Sequence, residues 1–244
     1  MTARAAVAAR AGPAGRSQVT VLRSDGPVAL RETPQGVYVV GAAAGPLGGD
    51  DLRLDIDVGP GAQLVLRSAA GALLLPGPHG GISWMRFHAR VAAGGRLDFC
   101  LPPAVAAAGC DHRVGAVVEL APGASLRWRE AMVLGRHGES SGHCVTRLDV
   151  TLAGSPLYRG ELAVGCPGTD ASSAVLDGAA AAGTVVLAEC HVDHEARPPA
   201  AARDGLAVMP LAGPGTVVSA TAPDAATLEH RLDHGEQLAG YQTS

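Results

Sequence analysis

Leu54-Asp55-Ile56-Asp57-Val58-Gly59-Pro60-Gly61-Ala62-Gln63-Leu64-Val65-Leu66-Arg67 decides the fold. Leu54, Ile56 and Val58 alternate with two aspartates, Gly59-Pro60-Gly61 turns the chain, and Gln63 to Leu66 alternates again; side chains of a strand point to opposite faces in turn, so each half buries one face. Phe87 to Phe99 and Val117 to Trp128 repeat the plan, and the Gly-x-x-Leu steps Gly61/Leu64, Gly94/Leu97 and Gly123/Leu126 recur at 33 and then 29 residues. Periods of that length mark stacked supersecondary units. The expected fold class is all-β, mainly antiparallel stacked hairpins in a superhelical, sandwich-like arrangement, with one or two short C-terminal helices.

Period-two segments bounded by Gly and Pro extend outward from this core in both directions. They cover Ala3–Arg10, Gln18–Arg23, Val28–Glu32, Gly36–Val40, Trp84–Val91, Arg96–Leu101, Val114–Leu120, Ser125–Leu134, Val145–Leu152 and Leu157–Val164. Thr184–Glu189, Leu206–Leu211 and Thr216–Ala220 read as further strands. Ser172–Ala182, rich in alanine, is expected as a short helix. A second helix is expected after Thr221-Ala222-Pro223-Asp224, which has capping-box spacing, with Leu228 and Leu232 one turn apart before Gly235. Residues 1–16 form an Arg/Ala-rich segment that is partly a first strand, and residues 17–244 a single β domain.

The 244 residues carry 19 basic and 23 acidic side chains, a formal net charge of -4. Every basic residue is arginine, so lysine-dependent chemistry is excluded: no P-loop, no Schiff base, no kinase lysine. No basic run is long enough for nucleic acid. Five cysteines without a C-x-x-C pair do not build a disulfide framework and fit a reducing cytoplasm. The Arg/Ala-rich start lacks the continuous apolar stretch of a signal peptide, and no membrane span is expected.

Three motifs invite catalytic readings. Leu134-Gly135-Arg136-His137-Gly138 has the arginine–histidine–glycine signature of histidine phosphatases, and Gly138-Glu139-Ser140-Ser141-Gly142 matches a G-x-S-x-G nucleophile elbow. Both fall among β segments, with a strand rather than a helix after the serine, so a solvent-exposed turn is the better reading. Glu189-Cys190-His191-Val192-Asp193-His194 holds competent metal ligands in His191, Asp193 and His194. It supports the alternative function, a metal-dependent hydrolase. Asp55 and Asp57 alternate outward and serve solubility and edge protection rather than catalysis.

Gly26-Pro27-Val28-Ala29-Leu30-Arg31-Glu32, Pro46-Leu47-Gly48-Gly49-Asp50-Asp51-Leu52, Gly59-Pro60-Gly61-Ala62 and Leu134-Gly135-Arg136 with Gly138-Glu139 together resemble, in order and distance, the UreD (UreH) family of urease accessory proteins. The Gly48-Gly49-Asp50 segment, Gly61, and the Gly135-Arg136 pair are the structural motif of the resemblance. It departs at Ser68–Leu75 and Leu101–Ala106, where more polar stretches are usual. The resemblance implies a non-enzymatic chaperone-like scaffold in the cytoplasm. Such a scaffold binds UreF, and through it the GTPase UreG, in a dimer of heterodimers, and docks on the apo-urease subunits for nickel insertion. No cofactor is held tightly, and nickel is in transit. Glu130 and Glu161, acids inside otherwise apolar strands, are then the candidate steps of a transient nickel path. Two adjacent glycines before Asp50 imply a turn with positive φ whose freed amides the aspartate can accept.

Overall fold

The computed structural model describes residues 1–42, 45–189 and 200–241. In chain order the strands are β1 (Thr2–Ala11), β2 (Ser17–Arg23), β3 (Val28–Thr33), β4 (Gly36–Gly41), β5 (Asp51–Val58), β6 (Gln63–Ser68), β7 (Leu73–Leu74), β8 (Ser83–Val91) and β9 (Arg96–Cys100). They continue as β10 (Ala104–Ala106), β11 (Asp111–Leu120), β12 (Ser125–Leu134), β13 (His143–Leu152), β14 (Ser155–Val164), β15 (Ala181–Glu189), β16 (Ala201–Arg203), β17 (Leu206–Pro210) and β18 (Thr216–Ala222). A 3-10 turn at Pro13–Gly15, a single helical turn, α1 (Pro167–Asp170), and a C-terminal helix, α2 (Ala225–Leu238), complete the described elements.

The strands form two facing sheets. The first runs β14-β13-β11-β8-β5-β1-β2 and the second β16-β17-β18-β15-β12-β9-β6-β4-β3. The two halves of the opening motif do not pair with each other. β5 pairs in parallel with β1 and β8, while β6 pairs in parallel with β4 and β9. The Gly59-Pro60-Gly61 turn is thus a corner that carries the chain from one sheet to the other, and the expected antiparallel hairpins are successive rungs of a solenoid. Antiparallel pairing is confined to the flanks: β1/β2 and β3/β4 at one end, β13/β14 and the run β12-β15-β18-β17-β16 at the other.

The sequence repeat is the rung repeat. Gly61, Gly94 and Gly123 all have positive φ, at 63°, 68° and 77°, and they stack at the corners: Gly61 N donates to Ala93 O at 3.1 Å, and Gly94 N to Gly123 O at 3.2 Å. Between the sheets the inward rows meet. Leu66, Phe99 and Trp128 are aligned, with Phe99 and Trp128 stacked at 3.7 Å between centroids and Phe87 edge-on to both. Burying these rows, with Leu54, Ile56, Ala89 and Val118, supplies the main apolar driving force.

On the outer face of the second sheet α2 packs against β15, β17 and β18. Its N-cap is Asp224, whose carboxylate accepts from Thr227 N at 2.8 Å; Thr221, expected as the cap, is a strand residue paired with Ala182. The helix continues through Gly235, where an added Cβ would collide with Val218 of β18. Ser172–Ala182 is not a helix: it is a series of turns leading into β15, whose first residue, Ala181, pairs with Val133. The bond Arg127 makes to Glu236 is bidentate, 2.9–3.1 Å, and fully enclosed. Arg127 also reaches Asp98 at 3.0 Å, and Asp98 accepts from Arg67.

Candidate functional site

Between the two sheets, at the end away from the Gly61 corners, lies a cavity of about 440 Å³. Its walls are mostly apolar. They include residues 68–74, and Leu101, Pro102 and Ala104, on the connections from β6 to β7 and from β9 to β10. The sequence departs from the resembled pattern in these two segments, so its replacements there, Ala-Ala-Gly-Ala-Leu and the Leu101-Pro102 pair with Ala104, form part of the cavity wall.

Glu130 borders this cavity from β12. Alternation puts it on the inward face with Leu126, Trp128 and Met132, where it is partly buried. Burial raises its pKa above the usual carboxylate value, and the Trp128 indole, donating to Oε1 at 2.6 Å, opposes that rise. Glu161 is elsewhere. It lies on β14 at the edge of the first sheet, turned outward, half exposed, with Arg147 Nη1 at 3.6 Å. The two acids are not brought together.

His112 was not legible as a site residue. It projects inward from β11, is 1% exposed and also borders the cavity. Burial, reinforced by the charge of Arg113, pushes its pKa down to about 4, so the imidazole is neutral at physiological pH. Carrying the alternation of Val114, Ala116, Val118 and Leu120 back by two residues puts His112 in the same row, and that is the signal that would have found it.

The Gly48-Gly49-Asp50 turn sits at the opposite corner column. Gly49 has φ +88 with open space around it, while a Cβ on Gly48 would meet Gly77 N at 2.6 Å and Gly81 O at 2.9 Å. Asp50 is buried. Burial alone would lift its pKa, but bonds from the Met1 nitrogen at 2.8 Å and Leu47 N at 2.9 Å bring it below the usual value. In the turn before β13, Gly135 has φ +82, and Arg136 closes on Glu139 at 2.6 and 2.8 Å, holding the Glu139 carboxyl down at about 2. Arg136 is therefore occupied in an exposed turn and does not face a phosphate site, and Ser140 precedes β13, not a helix.

Asp55 is outward and bound by Arg4 at 2.6 Å and Arg53 at 2.7 Å. His191, Asp193 and His194 lie outside the described residues, as does Cys190. Among the described residues no three His, Cys, Asp or Glu side chains converge in a metal-binding group, and no helix is long and apolar enough to cross a membrane.

The sequence model of the UreD urease accessory protein family matches residues 1–242. Urease accessory protein UreD of Frankia alni is 41% identical over 272 aligned positions, which cover 94% of this chain and 90% of that protein. Its counterpart in Parafrankia sp. is 42% identical over 268 positions, covering 99% and 89%. Urease accessory protein UreD 3 of Streptomyces griseus is 40% identical over 245 positions, covering 96% and 95%. With a match running along almost its whole length, on a stacked all-β fold, the chain belongs to the UreD urease accessory protein family.

Proposed function

We propose that the protein is a non-catalytic scaffold of urease maturation that binds UreF, and through it UreG, docks on apo-urease, and gives nickel a route through its intersheet cavity. The observation that carries the route is Glu130, a partly buried carboxyl bordering the cavity. A closed apolar core has no use for a carboxyl at this position, since burying one is costly unless it is paired or protonated. A cation in transit needs oxygen or imidazole ligands that bind and release, and carboxylate and imidazole both suit nickel. Burial favours the protonated form of Glu130, and a cation beside it would favour the ionised form. Glu161 offers a carboxylate only at the outer edge.

The test is Glu130→Ala and Glu161→Ala, separately and together, scoring urease activation and complex assembly as independent readouts. Loss of activation with intact assembly in Glu130→Ala supports the route. Normal activation removes Glu130 from it, and lost assembly reassigns the residue to structure.

A further inference from the structure

Among the described residues, three glycines lie inside strands and away from their ends: Gly115, Gly160 and Gly183. Glycine weakens a strand, and in such a place it marks a bulge, a bend or the close approach of another group. Two of the three carry a large side chain where their own Cβ would be. Tyr158 Cζ comes within 2.6 Å of that point at Gly160, and Leu232 Cδ1 of α2 within 2.8 Å at Gly183. Gly115 differs. It faces outward in the middle of β11, its register with β8 and β13 runs on without a bulge, and its φ is not positive. Among the described residues no atom beyond its chain neighbours lies within 4 Å of an added Cβ.

The same register position is arginine on the four other parallel strands of the first sheet, Arg4, Arg53, Arg86 and Arg147. A threonine would interrupt that row of cations equally well and suit the strand better; only glycine also leaves a notch. Across it the Arg86 and Arg147 backbones stand two strand spacings apart, about 9.6 Å. A flat ring with a contact of ~3.5 Å on each face needs about 7 Å. Both guanidinium groups have their carboxylates away from β11: Arg86 pairs with Asp51 of β5 and lies 4.4 Å over the Trp84 ring, and Arg147 pairs with Asp149 of its own strand at 2.9 Å. Val117, 39% exposed, adds apolar surface beside Gly115.

We propose that this notch seats an aromatic side chain of another protein, its ring laid on Gly115 between Arg86 and Arg147. Guanidinium planes stack on ring faces and attract the ring quadrupole, a complementarity that selects an aromatic anchor over an aliphatic one. The carboxylates already neutralising both arginines leave no call for an acidic one, and by holding the two walls beforehand they reduce the side-chain freedom lost on binding. The ring comes from a different protein. Residues 43–44, 190–199 and 242–244 contain no Phe, Tyr or Trp, and none of the chain's aromatic side chains is exposed, so neither this chain nor a second copy projects one. Resting on the scaffold reading above, that protein is a member of the maturation assembly.

The experiment takes the full-length protein co-expressed with UreF, and measures retention of UreF and then the affinity of the purified complex for apo-urease. Gly115→Val fills the notch with a strand former that meets no atom. Expected are an unchanged or raised melting temperature and at least about tenfold weaker binding of one of the two proteins. Arg147→Lys keeps the charge and loses the plane, and should weaken the same protein by about two- to fivefold. A folded Gly115→Val chain that binds both proteins as the wild type does overturns the proposal. Undiminished binding in Arg147→Lys also overturns it, because charge alone then suffices, and this variant decides should Gly115→Val fail to fold. A wild type that binds neither protein brings down the scaffold reading and the seat together, whereas wild-type binding that Gly115→Val leaves intact brings down the seat alone.

Discussion

Trp128 Nε1 donates a 2.6 Å hydrogen bond to Glu130 Oε1 from two residues back on the same strand and the same inward face. The indole is 0% exposed and stacked on Phe99, so this donor cannot swing away to water. It gives the Glu130 carboxyl one fixed neighbour.

Because the folded-state pKa of Glu130 is raised, the stability it permits is fully present below about pH 4.3, the unfolded value, and is lost as pH rises toward the folded value, where ionising the unfolded chain is favoured. Glu130→Gln removes that decline. The variant should match the wild type at pH 4 and exceed it at pH 8, by ~1.4 kcal/mol for every tenfold by which folding weakens the acid. Urea unfolding at the two pH values reads the difference. A variant less stable at pH 8 would mean that the carboxylate is charged in the resting protein.

At the corner turn, Gly49 and Gly48 are irreplaceable for different reasons. Gly49→Val meets no atom but forces a β-branched residue to φ +88, and should cost about 1–3 kcal/mol. Gly48→Ala drives a Cβ into the main chain of Gly77 and Gly81 and should cost more, because two backbone segments must separate. Thermal melting of both variants checks the order; equal stabilities would refute the distinction between strain and collision.

Removing Glu236 takes the bidentate partner from the buried Arg127 and, among the described residues, leaves Asp98 alone to offset its charge. Glu236→Ala should therefore cost about 3–5 kcal/mol and release α2 to limited proteolysis, since Arg127 and Arg129 are its polar ties to β12. Joint replacement, Arg127→Met with Glu236→Leu, should recover most of the loss. A double variant as unstable as the single one would show that the pair cannot be exchanged for apolar packing.

Asp98 titrates on the acid side. Burial would raise its pKa, but Arg67 and Arg127 hold it below the usual carboxylate range. Its contribution is present above about pH 3.9 and disappears as pH falls through the depressed value. Asp98→Asn should be less stable than wild type at pH 7, with the gap closing as pH falls through the depressed value. A gap independent of pH would assign the loss to packing.

The sheet ends carry exposed aliphatic side chains on an open edge, Val21 at 44% and Leu22 at 40% on β2. Unpaired edges of this kind associate. Expressed alone, the protein should aggregate, and co-expression with UreF should keep it soluble. Size-exclusion profiles check this; a stable monomer without affinity for UreF would contradict it.

Most strands were legible because burying alternate residues leaves the same trace whatever the neighbour, and for that reason the pairing was not. Leu54-Ile56-Val58 reads identically as half of a hairpin and as one rung of a parallel stack. The helix at Ser172–Ala182 failed because pairing of Ala181 with Val133 outweighs the helix propensity of alanine. Thr221 lost the cap to Asp224 for the same kind of reason, its backbone being engaged in β18. The inward placement of Glu130 was legible from the apolar residues it alternates with in β12. Glu161 looked alike but sits out of phase with Tyr158, Leu162 and Val164, whose register with Val150, Thr146 and Cys144 turns them inward and leaves Glu161 facing out.

Parallel rungs in register make the molecule a ruler. Each rung advances the chain by one strand spacing, roughly 4.8 Å, so the span from one end of the stack to the other changes only in whole steps. Removing one Gly-cornered repeat would shorten it by a single step, and adding one would lengthen it by the same amount, with both ends left chemically intact. Any two molecules bound one at each end would thereby be set apart by a count of repeats.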